Sequence, residues 1–86
     1  MEQLIEMLKR HEGVKSHVYK CSAGYESIGV GRNISKTGLG LSEDEVQYLL
    51  ESDISRVIKE LSSEYPWFND LDDVRKDAMI DISFNL

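Results

Sequence analysis

Four glycines punctuate the stretch HEGVKSHVYKCSAGYESIGVGR, residues 11–32, at positions 13, 24, 29 and 31. Glycines at that density break any long helix or flat strand and call for bends and close backbone approach. The residues between them alternate. In Ser16 to Cys21, His17, Tyr19 and Cys21 share one face and Ser16, Val18 and Lys20 the other, as on a strand. Ser22-Ala23-Gly24 reads as a turn and Tyr25 to Val30 as a second strand, so the stretch predicts a small antiparallel hairpin. Asn33 to Gly40 reads as a polar loop.

Helical patterns lie on both sides. From Met1 to about His11, Leu4, Ile5 and Leu8 form an apolar stripe among Glu2, Glu6, Lys9 and Arg10, and Gly13 is placed to stop the helix. Ser42 and Glu45 fit a capping box. Val46, Leu49, Leu50, Ile54, Val57, Ile58 and Leu61 then recur at three- and four-residue steps, which predicts a helix of about 20 residues. Pro66 ends that run beside an aromatic corner of Tyr65, Trp67 and Phe68. A third helix is expected from near Leu71 to the end of the chain, marked by Leu71, Val74, Ala78, Ile82 and Leu86. Met79, Ile80 and Phe84 make it apolar on its other sides too, which is the pattern of a helix central to a larger body. The fold expected is α+β: one short helix, a small antiparallel sheet and two longer helices in a single domain, residues 1–86. With no glycine or cap after the last helix, this pattern predicts either a further segment or a partner surface packing on residues 71–86.

The 86 residues suit one small domain, and 41% of them are hydrophobic. One cysteine forms no internal disulfide, and no Cys-x-x-Cys zinc pattern occurs. No metal or other cofactor is expected. Neither a membrane-spanning run nor a signal-peptide core is evident, so a cytoplasmic site of synthesis is expected. Residues 1–42 hold six basic and four acidic side chains, a balance of +2; residues 43–86 hold four and twelve, a balance of −8. An acidic second half argues against nucleic-acid binding, which needs a basic face toward phosphates.

Glu12, Cys21 and Ser27 are the residues with chemistry to offer, with eight residues between the first two and five between the last two. Glu12 falls at the end of the first helix, where the negative end of the dipole disfavours a carboxylate anion, the direction a general acid needs. Each also has a plainer reading: Glu12 as a solvated surface residue, Cys21 as a small buried hydrophobe, Ser27 as a tolerated polar residue in a strand.

The ordered set Glu12-Gly13, Tyr19-Lys20-Cys21, Gly24-Tyr25 and Ser27-Ile28-Gly29-Val30-Gly31 resembles the N-terminal lobe of phage-type lysozymes, the T-even-type endolysins of glycoside hydrolase family 24. Leu71-Asp72-Asp73-Val74-Arg75 and Ala78 to Phe84 resemble that family's central helix, so the likeness spans nearly the whole chain.

The resemblance implies hydrolysis of the β-1,4 bond between N-acetylmuramic acid and N-acetylglucosamine in peptidoglycan. It implies Glu12 as general acid, Cys21 where the family usually has Asp, and Ser27 where it usually has Thr. Cys21 and Ser27 would then hold the attacking water, or a Cys21 thiolate would attack the sugar itself. It also implies substrate contacts at Gly31, Phe84 and Asn85 and a structural ion pair between Arg32 and Asp53. For Arg32 the plainer reading is a loop cation, and for Phe84 packing along the helix. The family's second, helical lobe, which supplies an arginine facing the acid, has no counterpart here. The resemblance places such an enzyme in the host cytoplasm before lysis and on the cell wall after release. The alternative is a catalytically impaired peptidoglycan-binding or interaction module derived from a lysozyme.

Overall fold

The structure is a computed structural model, described here for residues 1–84. It contains three α-helices and one three-stranded antiparallel sheet, an α+β architecture as expected. The chain gathers into two compact units, residues 1–42 and 43–86.

The first unit opens with α1, Glu2–Glu12. The amide of Gly13 donates to the carbonyl of Lys9 at 2.8 Å, and Gly13 leaves the helix at φ +78, a conformation that side chains resist. The strands follow in order: β1 Lys15–Lys20, β2 Glu26–Gly29 and β3 Arg32–Asn33, each antiparallel to the next. β1 and β2 begin and end within a residue of their expected places. β3 was expected as the start of a loop; instead it pairs Ser27 with Asn33 and Ile28 with Arg32. Two residues are too few to carry an alternation in the sequence, so this strand exists by pairing alone. Lys15 pairs with Gly29 and Tyr19 with Ser27, so four steps along β1 match two along β2, a bulge that bends the strand. The apolar stripe of α1 is exposed along with the rest of the helix. The most enclosed side chain of this unit is polar: Ser27, 2% exposed.

The second unit begins with α2, Glu43–Glu64, immediately after Ser42, where the capping-box pattern puts the boundary. Three acidic residues in its first turn suit the positive end of the helix. Pro66 opens a 3₁₀ turn, Pro66–Asp70, in which the amide of Phe68 donates to the carbonyl of Tyr65 at 2.9 Å. That turn swings Phe68 inward to 2% exposure beside α2, where Leu61 is 6% exposed. Among the described residues these two are the buried apolar side chains. Trp67 stays outside, tilted on Tyr65 with ring centroids 5.3 Å apart.

The last helix, α3, runs Asp73–Phe84 and so begins after Leu71. Asp72 is the reason. Its side chain accepts from the amide of Arg75 at 2.8 Å and its carbonyl accepts from the amide of Lys76 at 2.9 Å, which makes it the N-cap. α3 contains no buried residue, and Val74 is 80% exposed. None of the described helices is long and apolar enough to cross a membrane.

Candidate active site

Glu12 is the last residue of α1, and its side chain is exposed. Gly13 ends the helix directly after it, and the chain enters β1 at Lys15. The side chain reaches toward the turn between β2 and β3, where Gly31 lies against it.

Cys21 follows β1 at the mouth of the first hairpin. Its amide donates to the carbonyl of Tyr25 at 2.9 Å and its carbonyl accepts from the amide of Gly24 at 2.8 Å. Ser22, Ala23 and Gly24 therefore form a three-residue loop whose last member sits at φ +88, the glycine position such loops require. The loop folds backbone amides around the sulfur. Amides of Tyr25, first, and Ala23 pull the thiol below its ordinary range; partial burial opposes them, and the Ser27 hydroxyl and the Gly24 amide add to the lowering. A thiolate at Cys21 is thus favoured by donors that the hairpin fixes in place.

Ser27 sits in β2 opposite Tyr19. Its hydroxyl donates to the carbonyl of Tyr25 at 3.3 Å and also acts on the Cys21 sulfur. The structure therefore brings Cys21 and Ser27 together through Tyr25. It places Glu12 and Gly31 in a second close relationship within the same unit.

The remaining residues have more local settings. Arg32 Nη1 donates to the carbonyl of Gly40 at 3.0 Å. Asp53 Oδ1 accepts from Arg56 Nη1 at 3.2 Å, one helical turn away. Phe84 lines an open groove of about 320 Å³ with Leu50, Ile54, Asp77, Ile80 and Asp81, in the second unit. Asn85 lies outside the described residues. No cluster of three or more metal-ligating side chains occurs among the described residues.

One organising residue was not singled out in the sequence. Asn33 Oδ1 accepts from both the amide and the hydroxyl of Ser35, at 2.9 and 2.6 Å, and its carbonyl accepts from the amide of Gly40 at 3.1 Å. It ties the 33–40 loop to β3 and so fixes the carbonyl that Arg32 uses. The signal was the pair Asn33 and Ser35, since asparagine side chains bond to backbone two residues on.

The family model for phage lysozyme matches residues 9–86, which includes every residue of this site. The chain belongs to the phage lysozyme family. No curated protein matches it. The family implies glycosidase activity in general. An exposed carboxyl can deliver a proton to a leaving oxygen, and a polar pair such as Cys21 and Ser27 can hold or activate a nucleophile.

Proposed function

We propose that this chain is an endolysin-type muramidase that cleaves the β-1,4 bond between N-acetylmuramic acid and N-acetylglucosamine in bacterial peptidoglycan. The observation that carries the proposal is membership of the phage lysozyme family over residues 9–86, a span containing Glu12, Cys21 and Ser27. Glu12 gives its proton to the departing glycosidic oxygen. Ser27 and Cys21 hold the water that attacks the opposite face of the sugar, or the Cys21 thiolate takes that step itself. The donors around Cys21 support a charged sulfur in either role. Gly31, Phe84 and Asn85 would line the path of the glycan, and Arg32 would pair with Asp53 to hold the fold. The enzyme would accumulate in the host cytoplasm and reach the wall at lysis. Exposure of Val74 and Ile82 supports packing of a further helical lobe, or of a second copy, on residues 71–86.

Cys21 in place of the usual Asp favours a second reading, a peptidoglycan-binding module with impaired catalysis. Incubation of the purified protein with peptidoglycan, beside Glu12→Gln and Cys21→Ala, separates the two. Release of reducing ends that falls by about 10²–10⁴-fold in Glu12→Gln supports the muramidase. Binding without release, unchanged in Glu12→Gln, rejects it.

A further inference from the structure

Two glycines flank Val30 in the turn from β2 to β3, and both have positive φ: Gly29 at +71 and Gly31 at +68. Their surroundings differ. A Cβ built on Gly29 meets nothing within 4 Å. A Cβ built on Gly31 would lie 3.0 Å from Oε2 of Glu12, 3.3 Å from its Cδ and 3.4 Å from its Cβ. Backbone conformation therefore accounts for Gly29 completely, but for Gly31 only in part. The second requirement at Gly31 is the space already occupied by the Glu12 side chain.

That space matters because little else restrains Glu12. Among the described residues its side chain makes no hydrogen bond or ion pair, and it stands exposed at the helix end. A glutamate has three side-chain torsions, so an unsupported carboxyl samples many directions. The bare Cα of Gly31 gives this one a surface to lie against.

We propose that Gly31 is a positioning residue for the catalytic acid: the missing side chain at Gly31 lets the Glu12 carboxyl rest against the β2–β3 turn, and that contact sets the direction of its proton. This deepens the muramidase reading and rests on it. It also changes the role of Gly31 from a substrate contact to a residue that acts through Glu12. A methyl group at position 31 would force the carboxyl to give way by a few tenths of an ångström or to turn aside.

The pair of glycines supplies its own control. Gly31→Ala and Gly29→Ala carry the same backbone strain, but only the first places an atom against Glu12. With ¹³C-labelled glutamate, the Glu12 carboxyl resonance is expected to shift in Gly31→Ala and to stay in place in Gly29→Ala. On peptidoglycan, Gly31→Ala is expected to lose about tenfold in kcat beyond the loss in Gly29→Ala, with KM little changed, as small misplacements of reacting groups do. Should the wild type release no reducing ends, the muramidase reading fails, and the resonances still decide the positioning contact. Equal resonance shifts in the two variants, or equal losses of kcat, would overturn the proposal. If Gly31→Ala does not fold, Gly31→Ala/Glu12→Ala takes its place: recovery to the stability of Gly29→Ala supports the contact, and continued failure to fold refutes it.

Discussion

Cys21 and Tyr25 are linked at both ends of one small loop: the Cys21 amide donates to the Tyr25 carbonyl at 2.9 Å, and the Tyr25 amide is the foremost group favouring the Cys21 thiolate. The same backbone closure that makes the hairpin makes the sulfur more acidic. The midpoint for alkylation by iodoacetamide should therefore lie below that of the urea-unfolded chain, and Ser27→Ala should move it part of the way back. Stability follows the same sign. Because the folded thiol is the more acidic, its contribution is present above the unfolded thiol's titration and is lost as pH falls through the folded value. Equal midpoints in folded and unfolded protein would show that the amides do not reach the sulfur.

The second unit depends on Phe68. Its ring is 2% exposed, and Leu61 is the other buried apolar side chain described. Phe68→Ala should cost about 3–5 kcal/mol, the usual range for losing a buried phenyl ring. Trp67→Ala, half exposed, should cost well under that. Urea unfolding followed by far-UV circular dichroism gives both values, and a larger loss for Trp67→Ala would contradict this assignment of the core.

Asp72 caps α3 and also meets Arg75, with Oδ2 2.6 Å from Nη1. The pair is exposed, so the cap should dominate. Asp72→Ala is expected to destabilise by about 1 kcal/mol, Asp72→Asn by less, because asparagine still accepts from the amide. Arg75→Ala should change stability by under about 1 kcal/mol. A loss in Arg75→Ala equal to that in Asp72→Ala would show that the ion pair, and not the cap, holds the end of the helix.

Legibility in the sequence varied with the length of the signal. α2 carries seven apolar residues at helical steps between a capping box and a proline, and its span is readable from those alone. β3 is two residues long and is defined by partners, so no periodicity could announce it. The aromatic corner was visible, but not which ring turns inward; the 3₁₀ turn decides that by burying Phe68 and leaving Trp67 outside. The start of α3 was expected near Leu71; the exact boundary is set where Asp72 bonds to the amides of the first turn. At the site, the spacing of Glu12, Cys21 and Ser27 gained its meaning from the family resemblance. The contact of Ser27 with Cys21 needed the hairpin loop, and the closeness of Gly31 to Glu12 needed the second turn.

Arg32 and Asp53 each have a partner close in sequence, Gly40 and Arg56. The ion pair proposed between them has a specific thermodynamic signature. Arg32→Ala, Asp53→Ala and the double variant, compared by urea unfolding, should show a coupling of at least about 0.5 kcal/mol. Additive losses would leave both residues with their local partners and remove the proposed pair.

The role of Cys21 in hydrolysis turns on its charge. A general acid at Glu12 must keep its proton while Cys21 gives one up, and a carboxyl ordinarily ionises well below a thiol. If a thiolate holds the water or attacks the sugar, release of reducing ends should therefore fall as pH rises through the thiol titration, which the loop amides bring below the ordinary range. Cys21→Asp replaces the thiol by a carboxyl, so that fall should move down into the carboxylate range while hydrolysis persists. Cys21→Ala should lose activity at every pH, by about 10²-fold or more if the group acts on the nucleophile. Ser27→Ala should shift the fall upward in pH, since it removes one of the groups that favour the thiolate. A wild-type profile with no fall in the thiol range, together with an active Cys21→Ala, would assign Cys21 to packing and leave Glu12 as the residue on which hydrolysis depends.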